Sequence, residues 1–76
     1  MKYEYDKEVD GLYIWFVKDI EEEITKLGEE VWPNELNGEI GLLFDKNGKI
    51  MGLEVQPASK YFDDKRLDQI AKDSYL

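Results

Sequence analysis

From Lys2 to Asp6 the chain alternates, with Tyr3 and Tyr5 on one side and Lys2, Glu4 and Asp6 on the other. That two-residue period predicts a strand with one wet face. Asp6 to Gly11 is polar and reads as a turn. Leu12 to Val17 is apolar throughout: Leu12, Ile14 and Phe16 share one face, and Tyr13, Trp15 and Val17 the other. A strand apolar on both sides belongs inside a sheet that is covered above and below. These two strands form a hairpin.

Beyond it the pattern is ambiguous. Ile20, Ile24 and Leu27 sit at helical spacing, whereas a strand puts Ile20, Glu22, Ile24 and Lys26 on one side. Gly28 is expected to end this segment. Glu29 to Gly38, with Pro33, Asn34, Asn37 and Gly38, reads as a loop that pins Trp32 into the core. Glu39 to Phe44 carries Ile40, Leu42 and Phe44 in register, and Lys49 to Gln56 carries Met51, Leu53 and Val55. Between them Asp45-Lys46-Asn47-Gly48 predicts a tight turn with Gly48 in the left-handed region. Pro57 stops the last strand. Asp63 or Asp64 caps a final helix, with Leu67, Ile70, Ala71 and Ser74 on one face and Lys65, Asp68, Gln69 and Lys72 in water.

The fold expected is therefore α+β, one domain over residues 1–76. It is an antiparallel sheet of four or five short strands in hairpin order, with the C-terminal helix on one face. One helix stripe covers one face only. The loop through Trp32 or a second chain must cover the other. Leaving Tyr13, Trp15 and Val17 in water would expose a large apolar patch, so a homodimer with these three residues at its interface is the expectation.

Composition narrows the chemistry. Apolar residues are 42% of the chain, enough to build a core despite the charge. Eighteen acidic side chains against ten basic ones give a net charge of −8. Residues 1–38 hold most of it, with four basic and eleven acidic side chains, including the run Glu21-Glu22-Glu23. No basic stripe exists to replace counterions on phosphates, which argues against nucleic acid and favours a basic protein partner. The longest apolar run, Leu12 to Val17, is far short of the ~20 residues a membrane helix needs, and the charged N-terminus is unlike a signal peptide. A cytoplasmic protein without membrane contact is expected. With no Cys and no His, disulfides, thiolate zinc sites, iron–sulfur centres and Cys nucleophiles are excluded, and the commonest general base is missing.

The remaining candidates are few. Asp6-x-Glu8-x-Asp10 would place three carboxylates on one side of an extended segment, where they could gather on a metal ion or serve a small-molecule binder or hydrolase. The alternative is a hairpin turn whose carboxylates bind their own backbone. Asp45-x-Asn47-Gly48 resembles the start of a calcium loop, but Ile50 and Gln56 stand where that loop needs Gly and Glu. Ser59 with Lys60 or Lys65 is a formal nucleophile–base pair without an oxyanion hole. No glycine-rich phosphate loop is present. Tyr13, Trp15 and Trp32 could form an aromatic binding patch, though core packing is the simpler use for them. The expectation is a non-catalytic protein-interaction or regulatory module with no cofactor.

Two motifs carry a resemblance. Tyr5-Asp6-x-Glu8-x-Asp10-x-Leu12-Tyr13-Ile14, and then Phe44-Asp45-x-x-Gly48-Lys49-Ile50-x-Gly52-Leu53-Glu54-Val55 followed by Ala58-Ser59-Lys60, resemble the signature of domain-of-unknown-function family 2283. These are small prokaryotic β-rich proteins. The resemblance covers roughly residues 1–60 and implies a further strand between the motifs, which favours a strand for Ile20 to Leu27. It brings no functional residues. It implies an antitoxin-like role beside a small basic protein. Within the signature, Gly52 in mid-strand predicts a bulge or a close neighbour such as Trp15, and Glu54 is expected to face solvent or pair with a Lys.

Overall fold

The computed structural model describes residues 2–16 and 25–72. Five strands form one antiparallel sheet: β1 (Lys2–Asp6), β2 (Gly11–Trp15), β3 (Leu27–Val31), β4 (Ile40–Asp45) and β5 (Ile50–Val55). They lie side by side in the order β1-β2-β5-β4-β3. The helix α1 (Asp64–Lys72) follows. This is the expected α+β plan, with the two hairpins β1–β2 and β4–β5 meeting along the β2–β5 pair.

The turn between β4 and β5 forms as its residues dictate. The Asp45 carboxylate accepts hydrogen bonds from the backbone N–H groups of Asn47 (2.9 Å) and Lys49 (3.0 Å), and Gly48 takes φ +79°. Asp63 caps α1 by accepting from the N–H of Arg66 at 2.8 Å.

The third strand departs from expectation. Gly28 does not end a strand; it lies inside β3, and Glu29 to Val31 are strand rather than loop. A Cβ at Gly28 would sit 2.8 Å from the carbonyl oxygen of Asp45, so only glycine lets the two backbones approach this closely. The earlier part of the expected strand, Ile20 to Ile24, lies outside the described residues, as do Val17, Glu21 to Glu23 and Ser74.

Register assigns the faces. Residues opposed across an antiparallel pair point to the same side, which groups Leu12, Ile14, Leu53, Val55, Ile40 and Leu42 on one face. There Leu12, Val55, Ala58 and Leu67 form a buried core, with Tyr5, Ile14, Phe62 and Ile70 against it. The helix thus covers the Leu12 face through Leu67 and Ile70, while Ala71, expected in the stripe, is exposed. Phe16, expected to continue that face, is also exposed.

The opposite face has its own cluster of Trp15, Leu43 and Met51, backed by Tyr13 and Leu27. Met51 was expected beside Leu53 and Val55. The register shifts by one residue where Leu43 opposes Gly52 and Phe44 opposes Ile50, and this turns Met51 toward Trp15. Gly52 meets both halves of its expectation: it adjoins this bulge, and a Cβ there would lie 2.6 Å from the Ile14 carbonyl oxygen and 3.4 Å from the Trp15 ring. Trp32 lies over Gly41, where a Cβ would come within 2.7 Å of the indole. The loop after β3 therefore covers part of the face opposite the helix.

Candidate functional site

The expected carboxylate trio does not assemble. Asp6 accepts from the backbone N–H of Glu8 at 3.0 Å, an Asx turn closing the β1–β2 connection. Glu8 is exposed. Asp10, at φ +54°, turns away toward the segment after β5. Its carboxylate accepts from the Tyr5 hydroxyl (2.7 Å), from the Ser59 N–H (3.1 Å) and from the Ser59 hydroxyl. Nearby, the N–H of Ala58 donates to the Asp10 carbonyl at 2.8 Å and the Gln56 amide to the Val9 carbonyl at 2.8 Å. Among the described residues no three Asp or Glu side chains come together as a metal-binding group.

Electrostatics follow these bonds. The donors Ser59 and Tyr5 hold the Asp10 carboxyl below its ordinary value. In return the Tyr5 hydroxyl is pushed up to about 12, first by its bond to Asp10 and then by burial. Ser59 and Lys60 do not pair as nucleophile and base. The Ser59 hydroxyl is donated to Asp10, and the Lys60 ammonium sits 2.7 Å from Glu39, which also accepts from Tyr61 at 2.7 Å. The first motif's Tyr5 and Asp10 and the second's Ser59 thus form one structural joint.

The feature that sequence reading missed lies on the face opposite the helix. Glu4, Tyr13, Glu54 and Gly41 stand opposite one another in a row across β1, β2, β5 and β4. Glu4 was expected in water and Glu54 in water or with a Lys. Both are instead buried, at 8% and 7% exposure, because this face is covered by its own aromatic cluster. Tyr13 and Trp15 stack with centroids 5.6 Å apart and planes within 4°.

Tyr13 donates its hydroxyl to Glu54. Burial, more than any neighbour, raises the Glu54 carboxyl; Tyr13 opposes this and Glu30 adds to it. The Tyr13 hydroxyl rises to about 12, through burial first and Glu54 second. The Oε1 atom of Glu4 and the indole Nε1 of Trp15 are buried without a hydrogen-bond partner. These groups line a concavity of about 470 Å³, with Gly11 and Gln56 on its wall and the exposed Glu30 at its edge.

The interface trio is partly placed. Tyr13 is half-buried and Trp15 is 4% exposed within a single chain. Of the two covers expected for this face, a second chain or the chain's own loop, burial of Trp15 does not require the second chain. Val17 lies outside the described residues. Among the described residues no helix is long and apolar enough to cross a membrane.

A family model described as "Protein of unknown function (DUF2283)" matches residues 2–59. The matched span contains all five strands and ends on Ser59, the far side of the Asp10 joint. No curated protein and no solved structure matches the chain.

Proposed function

This chain belongs to the DUF2283 family, and we propose that it works as a non-catalytic interaction module that holds a basic protein against the acidic face of its sheet, opposite the helix. One observation carries this reading: Glu4 and Glu54 are buried in an open concavity, and Glu4 keeps a carboxylate oxygen with no partner. A buried carboxylate without a donor is costly to keep. A cationic group from outside supplies the missing donor and the missing charge together. The net charge of −8 supports the same reading, since it draws basic surfaces toward the molecule over long range and makes the encounter salt-dependent. The setting we propose for this encounter is the cytoplasm. The non-catalytic part of the reading is supported by the commitments of Ser59 to Asp10 and Lys60 to Glu39.

Amide chemical-shift mapping during titration with oligolysine, oligoarginine and oligoglutamate tests the proposal. The expected result is a salt-sensitive response to the two basic peptides at Glu4, Tyr13, Glu30 and Glu54, with none to oligoglutamate. A response confined to α1, or no saturable response, would overturn it.

A further inference from the structure

We infer that the concavity beside Tyr13 is a binding pocket for a single arginine side chain of that basic protein. The inference rests on the reading of this face as the contact surface and names the group that enters it. Glu4 and Glu54 flank Tyr13 in one cross-strand row. Their Cβ atoms are therefore two strand spacings apart, about 10 Å, with two long side chains reaching inward. That separation suits a cation with donors on opposite edges better than a point charge, and no metal-binding trio forms here among the described residues. Guanidinium is planar, stays charged, carries five donors and gives up its hydration more readily than an ammonium.

Space and stacking agree with this choice. Gly11 lies two residues before Tyr13 on the same face and lines the same concavity, where a Cβ would meet the Val9 side chain at 3.4 Å, so the wall beside the phenol ring is kept low by glycine and shared with Val9. Tyr13, half-buried and backed by the stacked, buried Trp15 at nearly parallel planes, presents a held aromatic surface to a flat cation. Two buried polar atoms await partners there. The Glu4 Oε1 lacks a donor, and the Trp15 Nε1 lacks an acceptor. A guanidinium supplies the donor that Glu4 lacks once the Glu4 side chain turns to meet it. Glu30 at the edge adds negative charge along the approach.

The test uses the intact protein and two capped tripeptides, Gly-Arg-Gly and Gly-Lys-Gly, followed by amide and indole N–H shifts, with the Trp15 signal assigned through a Trp32→Phe variant. The Arg peptide is expected to shift the Trp15 indole N–H and to bind about tenfold more tightly than the Lys peptide, the factor expected when a planar, multi-donor cation replaces a point charge. Glu4→Gln should weaken the Arg peptide about tenfold. Gly11→Val, which adds bulk beside Val9 on the concavity wall and suits a strand, should abolish its binding while thermal unfolding confirms that the sheet remains intact. Equal binding of both peptides at this face would overturn the arginine pocket and leave the basic-partner reading standing. Binding of neither tripeptide while oligolysine and oligoarginine still map to this face would overturn the arginine pocket alone; loss of response to all four basic peptides, or binding elsewhere on the surface, would overturn both. Retention of Arg binding by a folded Gly11→Val variant would overturn the pocket's location.

Discussion

The two faces of the sheet solve the same packing problem differently. On the helix side, Leu12 and Val55 meet Ala58 and Leu67, and the nearby carboxylate of Asp10 is saturated by Tyr5 and Ser59. On the other side, Leu43 and Met51 pack around Trp15, yet Glu4 and Trp15 each keep a buried polar atom without a partner. The first face spends its polar groups on holding the chain together. The second holds them in reserve, at a cost to stability. A small domain with little stability to spare carries such a cost most readily where a binding partner can relieve it.

The largest expected effects test whether both faces are truly close-packed. Leu12→Ala and Leu43→Ala each remove a fully buried side chain, one per face, and each should destabilise by about 2–5 kcal/mol in urea unfolding. A loss below about 1 kcal/mol at Leu43 alone would mean that the Trp15 face is loosely packed. Next comes the saturated carboxylate. Asp10→Ala removes the acceptor for Tyr5 and Ser59 and should cost about 1–3 kcal/mol by the same measurement. Gly48→Val, in the turn that aligns β4 with β5, should cost about 1 kcal/mol or more because φ +79° is strained for a branched side chain.

The smallest effect separates the faces most cleanly, because their carboxylates bend stability with pH in opposite directions. Asp10 has a folded value below its unfolded 3.8, so its contribution is complete above 3.8 and is lost as pH falls through the lower folded value. Glu54 has a folded value above its unfolded 4.5, so the native state holds that proton more tightly. Stability from this group is present below 4.5 and declines as pH rises through the raised value. Glu54→Gln should therefore be more stable than the parent at neutral pH, with the gain vanishing in acid. Thermal unfolding followed from neutral to acid pH checks this; a gain that persists unchanged below pH 4.5 would contradict the assignment.

The two faces also differ in how far the sequence foretold them. The doubly apolar run from Leu12, the Asp45–Gly48 turn and the Asp63 cap rest on local chemistry and were legible. Trp32 as a cover stood only as the alternative to a second chain, and the residue lies half-buried over Gly41 rather than in either core cluster. The burial of Glu4 and Glu54 was not legible, because an alternating pattern identifies the polar side of a strand but not whether that side is wet. That depends on which strands stand beside it, and here β2 and β5, distant in sequence, place Tyr13 between the two glutamates. The signal available was Glu54 flanked by Leu53 and Val55 in a strand destined for the sheet centre. Met51 was misassigned because a one-residue register shift is invisible to periodicity. β3 was misplaced because Leu-Gly-Glu-Glu-Val has little strand propensity of its own and pairs only where Gly28 admits the Asp45 backbone.

The Asp10–Ser59 joint has a consequence in time as well as in space. It connects residues 49 apart in the chain, so it can close only after β5 has docked on β2 and delivered Ser59 to its place. A bond that waits on this docking is expected to form after the folding transition state and to act as a latch on the finished molecule. In a denaturant-jump experiment, Asp10→Ala should leave the refolding limb of the chevron nearly where it was and lift the unfolding limb. The residues that unite the family's two motifs would then govern how long the fold persists rather than how quickly it is reached.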